Sequence, residues 1–264
     1  VFFSATLLPV LYYKELLSGN PEDYAVYINS PFPAGNRLLM VARDVSSRYT
    51  RRNRREFEKI LAYILDAAGQ KKGNYMVFFP SYQYMNEVLR LWGEQEEALK
   101  DQGFRLLIQG SRMNEQEKEE FLKEFEEQRQ DSLVAFCVMG GIFSEGIDLK
   151  EDRLIGVMVV GTGLPMVCTE QEILRNYFDE KHGCGFDYAF QYPGMNKVMQ
   201  AAGRVIRTME DKGIILLMDD RFLRDEYQAL FPREWQDYKV VRRENVGNAV
   251  REFWEERKLA IRHV

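Results

Sequence analysis

The chain has 264 residues, 45% of them hydrophobic, and its 36 Lys and Arg against 41 Asp and Glu leave a net charge of −5. That length and apolar content suffice for a sizeable core, and the acidic balance argues against indiscriminate nucleic-acid binding and directs attention to local charge. No apolar run approaches the roughly 20 residues of a membrane span, and Val1-Phe2-Phe3 lacks the basic flank of a signal peptide, so no membrane partner is expected.

The chain starts in apolar sequence without an initiator Met, which leads us to expect a piece of a longer polypeptide. Short apolar runs at 38–42, 75–79, 105–108, 133–138, 154–160 and 213–218 have the composition of strands. Between and after them, apolar residues recur at helical spacing over 54–68, 82–100, 115–128, 171–180, 197–208 and 246–257. This alternation predicts an α/β fold, a mostly parallel sheet with helices on both faces in a three-layer α/β/α sandwich. No internal repeat, linker or domain boundary interrupts it, so residues 1–264 are expected to form a single domain.

Charge is unevenly placed along this framework. Between Arg37 and Arg55, seven arginines face Asp44 alone, whereas 114–131 carries eight acidic residues against three basic ones. The acidic stretch fits a solvated helix face over Phe121, Leu122 and Phe125. Arg51 to Arg55 would open a helix, where the macrodipole disfavours cations, so Arg51 and Arg52 fit either a phosphate partner or an ion-paired surface. The cysteines Cys137, Cys168 and Cys184 form no C-x-x-C pair. They point to reduced, buried thiols of a cytoplasmic protein, with no metal or iron–sulfur centre on this chain.

In such folds ligands collect at the carboxyl ends of strands. Polar groups follow three of the strands here: Ser81 and Tyr82 after 75–79, Gln109-Gly110-Ser111 after 105–108, and the segment Gly140 to Asp148 after 133–138. Ser81 suits a phosphate contact and equally a helix N-cap. Gln200-Ala201-Ala202-Gly203-Arg204-Val205-Ile206-Arg207 carries the most chemistry. On a helix turning about 100° per residue, Gln200, Arg204 and Arg207 fall on one stripe, while Val205 and Ile206 turn to the core. Two untitratable planar guanidiniums beside a carboxamide suit a polyphosphate, and the same stripe also fits a solvated face.

Together these motifs resemble the C-terminal motor domain of DinG/XPD-type superfamily two DNA helicases. The residues that carry the resemblance are Ser4-Ala5-Thr6-Leu7, Phe79-Pro80-Ser81-Tyr82, the loop Gly141 to Asp148, and Gln200 to Arg207 continuing to Asp211 and Gly213, in that order. The resemblance implies a RecA-like lobe, with residues 1–8 a remnant of the link from a first lobe. It makes Arg207 the arginine finger and sets Arg204 and Gln200 on the nucleotide phosphates. Gly146, Asp148 and Glu145 would border ATP, and Ser144 would lie between ATP and the strand channel. Ser81 and Tyr82 would meet single-stranded DNA, and Ser4, Ala5 and Thr6 would couple hydrolysis to movement.

The sequence lacks a G-x-x-x-x-G-K-[ST] loop. ATP and Mg2+ would therefore be held mainly by an N-terminal RecA-like lobe of the same polypeptide, and the fragment alone is expected to be inactive. Asp179-Glu180-Lys181-His182 ends a helical pattern and Asp219-Asp220 follows a strand, and both are expected to be structural. A non-catalytic nucleic-acid-binding module built on the arginine cluster remains the alternative.

Overall fold

The computed structural model describes residues 1–4, 6–20, 22–143, 149 and 151–261, with side chains as far as residue 255. Seven parallel strands form one sheet: β1 (Arg37–Ala42), β2 (Gly73–Phe79), β3 (Phe104–Ile108), β4 (Ser132–Val138), β5 (Gly156–Val160), β6 (Gly213–Met218) and β7 (Lys239–Val241). Their spatial order is β3-β4-β2-β5-β6-β1-β7. Arg37 lies opposite Gly213, Gly156 opposite Ile214 and Gly73 opposite Ser132, so all amino ends share one edge of the sheet and all carboxyl ends the other.

Every residue of β2, β4, β5 and β6 is buried, which is why these strands are continuous apolar runs rather than alternating ones. Successive side chains go to opposite faces. In β1, Leu38, Met40 and Ala42 join one core while Leu39 and Val41 join the other.

The helices are α1 (Val10–Leu17), α2 (Arg54–Ala68), α3 (Tyr82–Gly93), α4 (Glu96–Asp101), α5 (Glu115–Lys123), α6 (Thr169–His182), α7 (Tyr192–Ala202), α8 (Asp225–Gln228) and α9 (Arg243–Ile261). The first core is closed by α2, α3, α4 and α9, the second by α5, α7 and α8. In α2, Asn53 caps the first turn by accepting from the Glu56 N–H, and Phe57, Ile60, Leu61 and Ile64 follow at helical spacing into the core. Burying each such side chain stabilises the layer by about 1.5–3 kcal/mol, and Ile64→Ala would cost about 2–5 kcal/mol. No helix among the described residues is long and apolar enough to cross a membrane.

Several expectations are corrected. The pattern over 82–100 is two helices, because the chain turns after Gly93 and α4 brings Leu99 under the first core. The pattern over 115–128 ends at Lys123, where Phe125 enters the second core from a turn. Only Cys137 is fully buried, and burial pushes its thiol up, whereas Cys168 and Cys184 are half-buried. The strand β7 and the helices α1 and α8 have patterns too short to stand out.

Candidate functional site

The helix α7 connects the two edges of the sheet. Its first turn lies at the carboxyl edge, where Gly194 meets Thr162 and Gly163 so closely that a Cβ on Gly194 would lie 2.6 Å from the Thr162 carbonyl oxygen. Its last turn reaches the amino edge and stops at Ala202, with Gly203 as the C-cap. This corrects the single helical stripe. Gln200 is on the helix, but Arg204 and Arg207 stand on the turn that follows it, so their alignment does not come from helical periodicity.

A carboxylate organises that turn. Asp211, buried two residues before β6, accepts from the Arg207 N–H at 2.6 Å, the Thr208 N–H at 2.6 Å and the Glu151 N–H at 2.7 Å. It thereby ties the arginine turn to the far end of the β4–β5 connection. Asn36 Nδ2 holds the same turn through the Met209 carbonyl at 2.9 Å, and Val205 and Ile206 enter the second core as expected. Arg204 is 8% exposed, whereas Gln200 and Arg207 are half-buried, so the three side chains do not form one open surface. Ser144, Glu145, Gly146 and Asp148 lie outside the described residues, as does Ala5. Ser4 and Thr6 hydrogen-bond to each other through their hydroxyls at 3.2 Å.

The carboxyl edge is built around a second buried carboxylate, immediately after β6. Asp219 accepts from the Ser47 N–H at 2.8 Å, the Ser47 hydroxyl at 2.7 Å, and the Arg221 N–H and Nε at 3.0 and 2.8 Å. Burial alone would raise the Asp219 carboxyl, but the Arg221 guanidinium and the Ser47 donors hold it below the ordinary range. Glu56, also buried, accepts from the Ser46 N–H at 2.6 Å and from Arg51 at 3.0 Å. Arg48 and Arg51 lie 3.4 and 3.9 Å from Asp220. Arg48 and Arg51 are therefore ion-paired, while Arg52 donates to the Ser47 carbonyl. Arg51 and Arg52 precede α2 rather than opening it, so the dipole argument applies only to Arg54 and Arg55.

Ser81 and Tyr82 sit at the same edge, and both side chains have intramolecular roles. The Ser81 hydroxyl oxygen caps α3 by accepting from the Tyr84 N–H at 3.2 Å. The Tyr82 hydroxyl donates to the Gly110 carbonyl at 3.0 Å and accepts from Gln109 Nε2 at 2.8 Å, while Gln109 Oε1 accepts from the Val138 N–H at 3.0 Å. This network stitches the loops after β2, β3 and β4 together. The two acidic decoys are structural: Asp219 as described, and Asp179 by accepting from the Gly185 N–H at 2.7 Å, while Lys181 and His182 pair with Glu15.

Sequence reasoning assigned no role to Asp211 or Lys197. The stem of Lys197 packs on Gly140 beyond β4, and burial pushes its ammonium below the ordinary lysine value. Among the described residues no group of His, Cys, Asp and Glu side chains could hold a metal ion. The amino edge contributes cations and an amide, a donor set that fits phosphate oxygens and leaves a metal to other ligands.

Residues 64–238 match the helicase C-terminal domain family. A probable ATP-dependent helicase of Methanocaldococcus jannaschii is 26% identical over 78% of this chain and 32% of its own length. The regulator of telomere elongation helicase 1 of Mus musculus is 30% identical over 67% of this chain and 16% of its own length. The ATP-dependent DNA helicase CHL1 of Saccharomyces cerevisiae is 26% identical over 66% and 21%. The chain thus spans between 16% and 32% of these curated relatives. Two solved XPD structures, one the XPD helicase and one apo XPD, share the fold. Their TM-scores are 0.62 and 0.63 at 21% identity, covering 78% and 79% of this chain and 35% and 40% of theirs. The fold is the RecA-like α/β lobe.

Proposed function

Because this chain belongs to the helicase C-terminal domain family, we propose that it is the second motor lobe of an ATP-dependent DNA helicase of the DinG/XPD type. It supplies the arginine-finger side of an ATP site shared with an N-terminal lobe of the same polypeptide, and part of a single-stranded DNA path. The observation that carries this reading is Asp211, which fixes the backbone of Arg207 and Thr208 against Glu151. It brings the turn that carries Arg204 and Arg207 and the Glu151 end of the β4–β5 connection together at one edge.

In this reading ATP, with Mg2+ held mainly by the first lobe, supplies the bond that is broken. The chain's own residues position and neutralise. Arg207 meets the charge that develops on the transferring phosphoryl group, Arg204 stands beside it from a more buried position, and Gln200 offers its amide from the last turn of α7. Groups of this kind act because they are already oriented when charge appears, which a turn fixed by a buried carboxylate provides. A finger is worth about 10³–10⁵ in turnover.

The test uses the complete polypeptide. Arg207→Ala should lower DNA-stimulated ATP hydrolysis by about 10³-fold or more while DNA affinity stays within a few-fold. The binding-module reading predicts the reverse, a change in DNA affinity with hydrolysis intact. DNA-stimulated hydrolysis by residues 1–264 alone would overturn the proposal, because the chain has no phosphate-cradling loop of its own.

A further inference from the structure

Between β1 and α2 the chain makes a single tight turn, Tyr49–Arg51, at the carboxyl edge. Its tip is an aromatic ring in water, with Tyr49 83% exposed. An exposed tyrosine is ordinary by itself, but this one stands on a turn whose flanks are unusually fixed. The Ser46 N–H and the Arg51 guanidinium both donate to Glu56, and the Ser47 N–H and hydroxyl donate to Asp219. Arg52 Nε donates to the Ser47 carbonyl at 3.2 Å. Its guanidinium lies between two rings, 5.5 Å from the centre of Tyr49 and 5.4 Å from that of Tyr84. Tyr84 in turn donates its N–H to Ser81. A continuous set of contacts therefore joins the exposed ring to the loop after β2.

Resting on the reading above, we infer that Tyr49, backed by Arg52, is a stacking platform for one base of single-stranded DNA. Holding a ring outward on an ordered turn forgoes the gain of burying it, and a base laid on its free face restores that gain. The Arg52 cation behind the ring and the partly paired Arg48 and Arg51 beside it give the strand's phosphates a favourable field. Base stacking is indifferent to sequence, as a translocating motor requires.

The experiment measures binding of the 264-residue chain to a labelled oligothymidylate and to an abasic strand of equal length, by fluorescence anisotropy at one fixed salt concentration. The parent chain should prefer the thymidylate. Tyr49→Ala should weaken thymidylate binding about tenfold and leave abasic binding unchanged, and Tyr49→Trp should keep the preference, with its indole fluorescence quenched on binding. Equal thymidylate affinities for Tyr49→Ala and the parent would overturn the platform, as would equal losses on both strands or binding of neither strand by the parent. The helicase reading is judged separately by the Arg207→Ala hydrolysis assay, so the two can fail independently.

Discussion

The two edges of the sheet are organised by the two ends of one strand. Asp211 lies just before β6 and Asp219 just after it, both are buried, and each gathers distant donors. They do so differently. Asp211 accepts from main-chain N–H groups, so it positions the arginine turn without neutralising a guanidinium itself. Asp219 binds the Arg221 guanidinium, and Glu56 and Asp220 pair with Arg51 and Arg48 nearby. A buried carboxylate can thus set geometry at one end of a strand and balance charge at the other. In the proposed reading the amino edge is the one that receives a polyanion. The carboxyl edge is a preformed ledge on which Arg48 and Arg51 are paired with carboxylates, and in the proposed reading it holds a base by stacking as much as by charge.

The comparison predicts unequal costs. Asp219→Ala strands the Arg221 guanidinium and the Ser47 donors inside the protein and should destabilise the fold by about 3–5 kcal/mol. Asp211→Ala leaves uncharged N–H groups without an acceptor and should cost less, about 2–3 kcal/mol. Urea denaturation at neutral pH measures both. Amide exchange should also accelerate at Arg207 and Thr208 in Asp211→Ala while Ser47 stays protected. An Asp211→Ala cost equal to or above that of Asp219→Ala would break the proposed division between positioning and charge balance.

The parts of this arrangement legible in the sequence are those set by near neighbours. The strand over 213–218 and the helix over 54–68 have their expected bounds, because an unbroken apolar run and an Asn cap with helical spacing are local signals. The helix over 197–208 is misjudged for a complementary reason. Gly203 weakens the helix where Asp211 offers competing acceptors, and the Glu151 N–H that completes this carboxylate's set comes from a segment 60 residues away. Thr208 gives a partial signal, since its hydroxyl accepts from the Asp211 N–H at 3.2 Å, a turn readable from residues three apart. The carboxyl-edge network is less legible still, because Ser47 and Asp219 lie 172 residues apart. The excess of arginine around 37–55 was visible, and Glu56 and Glu58 are near neighbours in sequence, but Glu94 and Asp220 reach the cluster only through the fold.

Separate from the Asp211 and Asp219 networks, a clasp between α1 and α6 provides a pH-dependent control. Glu15 on α1 accepts from Lys181 at 2.5 Å, from His182 at 2.9 Å and from Tyr188 at 3.0 Å. Hydrogen bonds from Lys181 and then His182 draw its carboxyl down to about 2 from the ordinary 4.5. A carboxyl depressed by folding adds stability above its ordinary value and loses it as pH falls toward the depressed one. The gap between the parent and Glu15→Gln, about 1 kcal/mol at pH 6 after solvent screening, should therefore close as pH falls from 4.5 toward 2. Urea melts across that range measure it, and the edge variants should not alter the gap. A gap unchanged at low pH would mean that the clasp acts by packing of Tyr12, Phe178 and Tyr188 alone.

The smallest effects separate the two kinds of arginine at the carboxyl edge. Arg51 pairs with a buried carboxylate, so Arg51→Ala removes one of the partners of Glu56 and should cost about 1–2 kcal/mol. Arg54 makes contacts that look stronger on geometry, 2.8 Å to Glu58 and 2.5 Å to Glu94, but all three side chains are exposed. Water and salt screen such pairs, and ordering long side chains offsets what attraction remains. Arg54→Ala should therefore leave the melting temperature unchanged within error at 0.15 M salt, although its ion pairs are shorter than that of Arg51. A measurable loss for Arg54→Ala with none for Arg51→Ala would mean that the buried carboxylates do not organise this edge, and the ledge that displays Tyr49 would lose its physical basis.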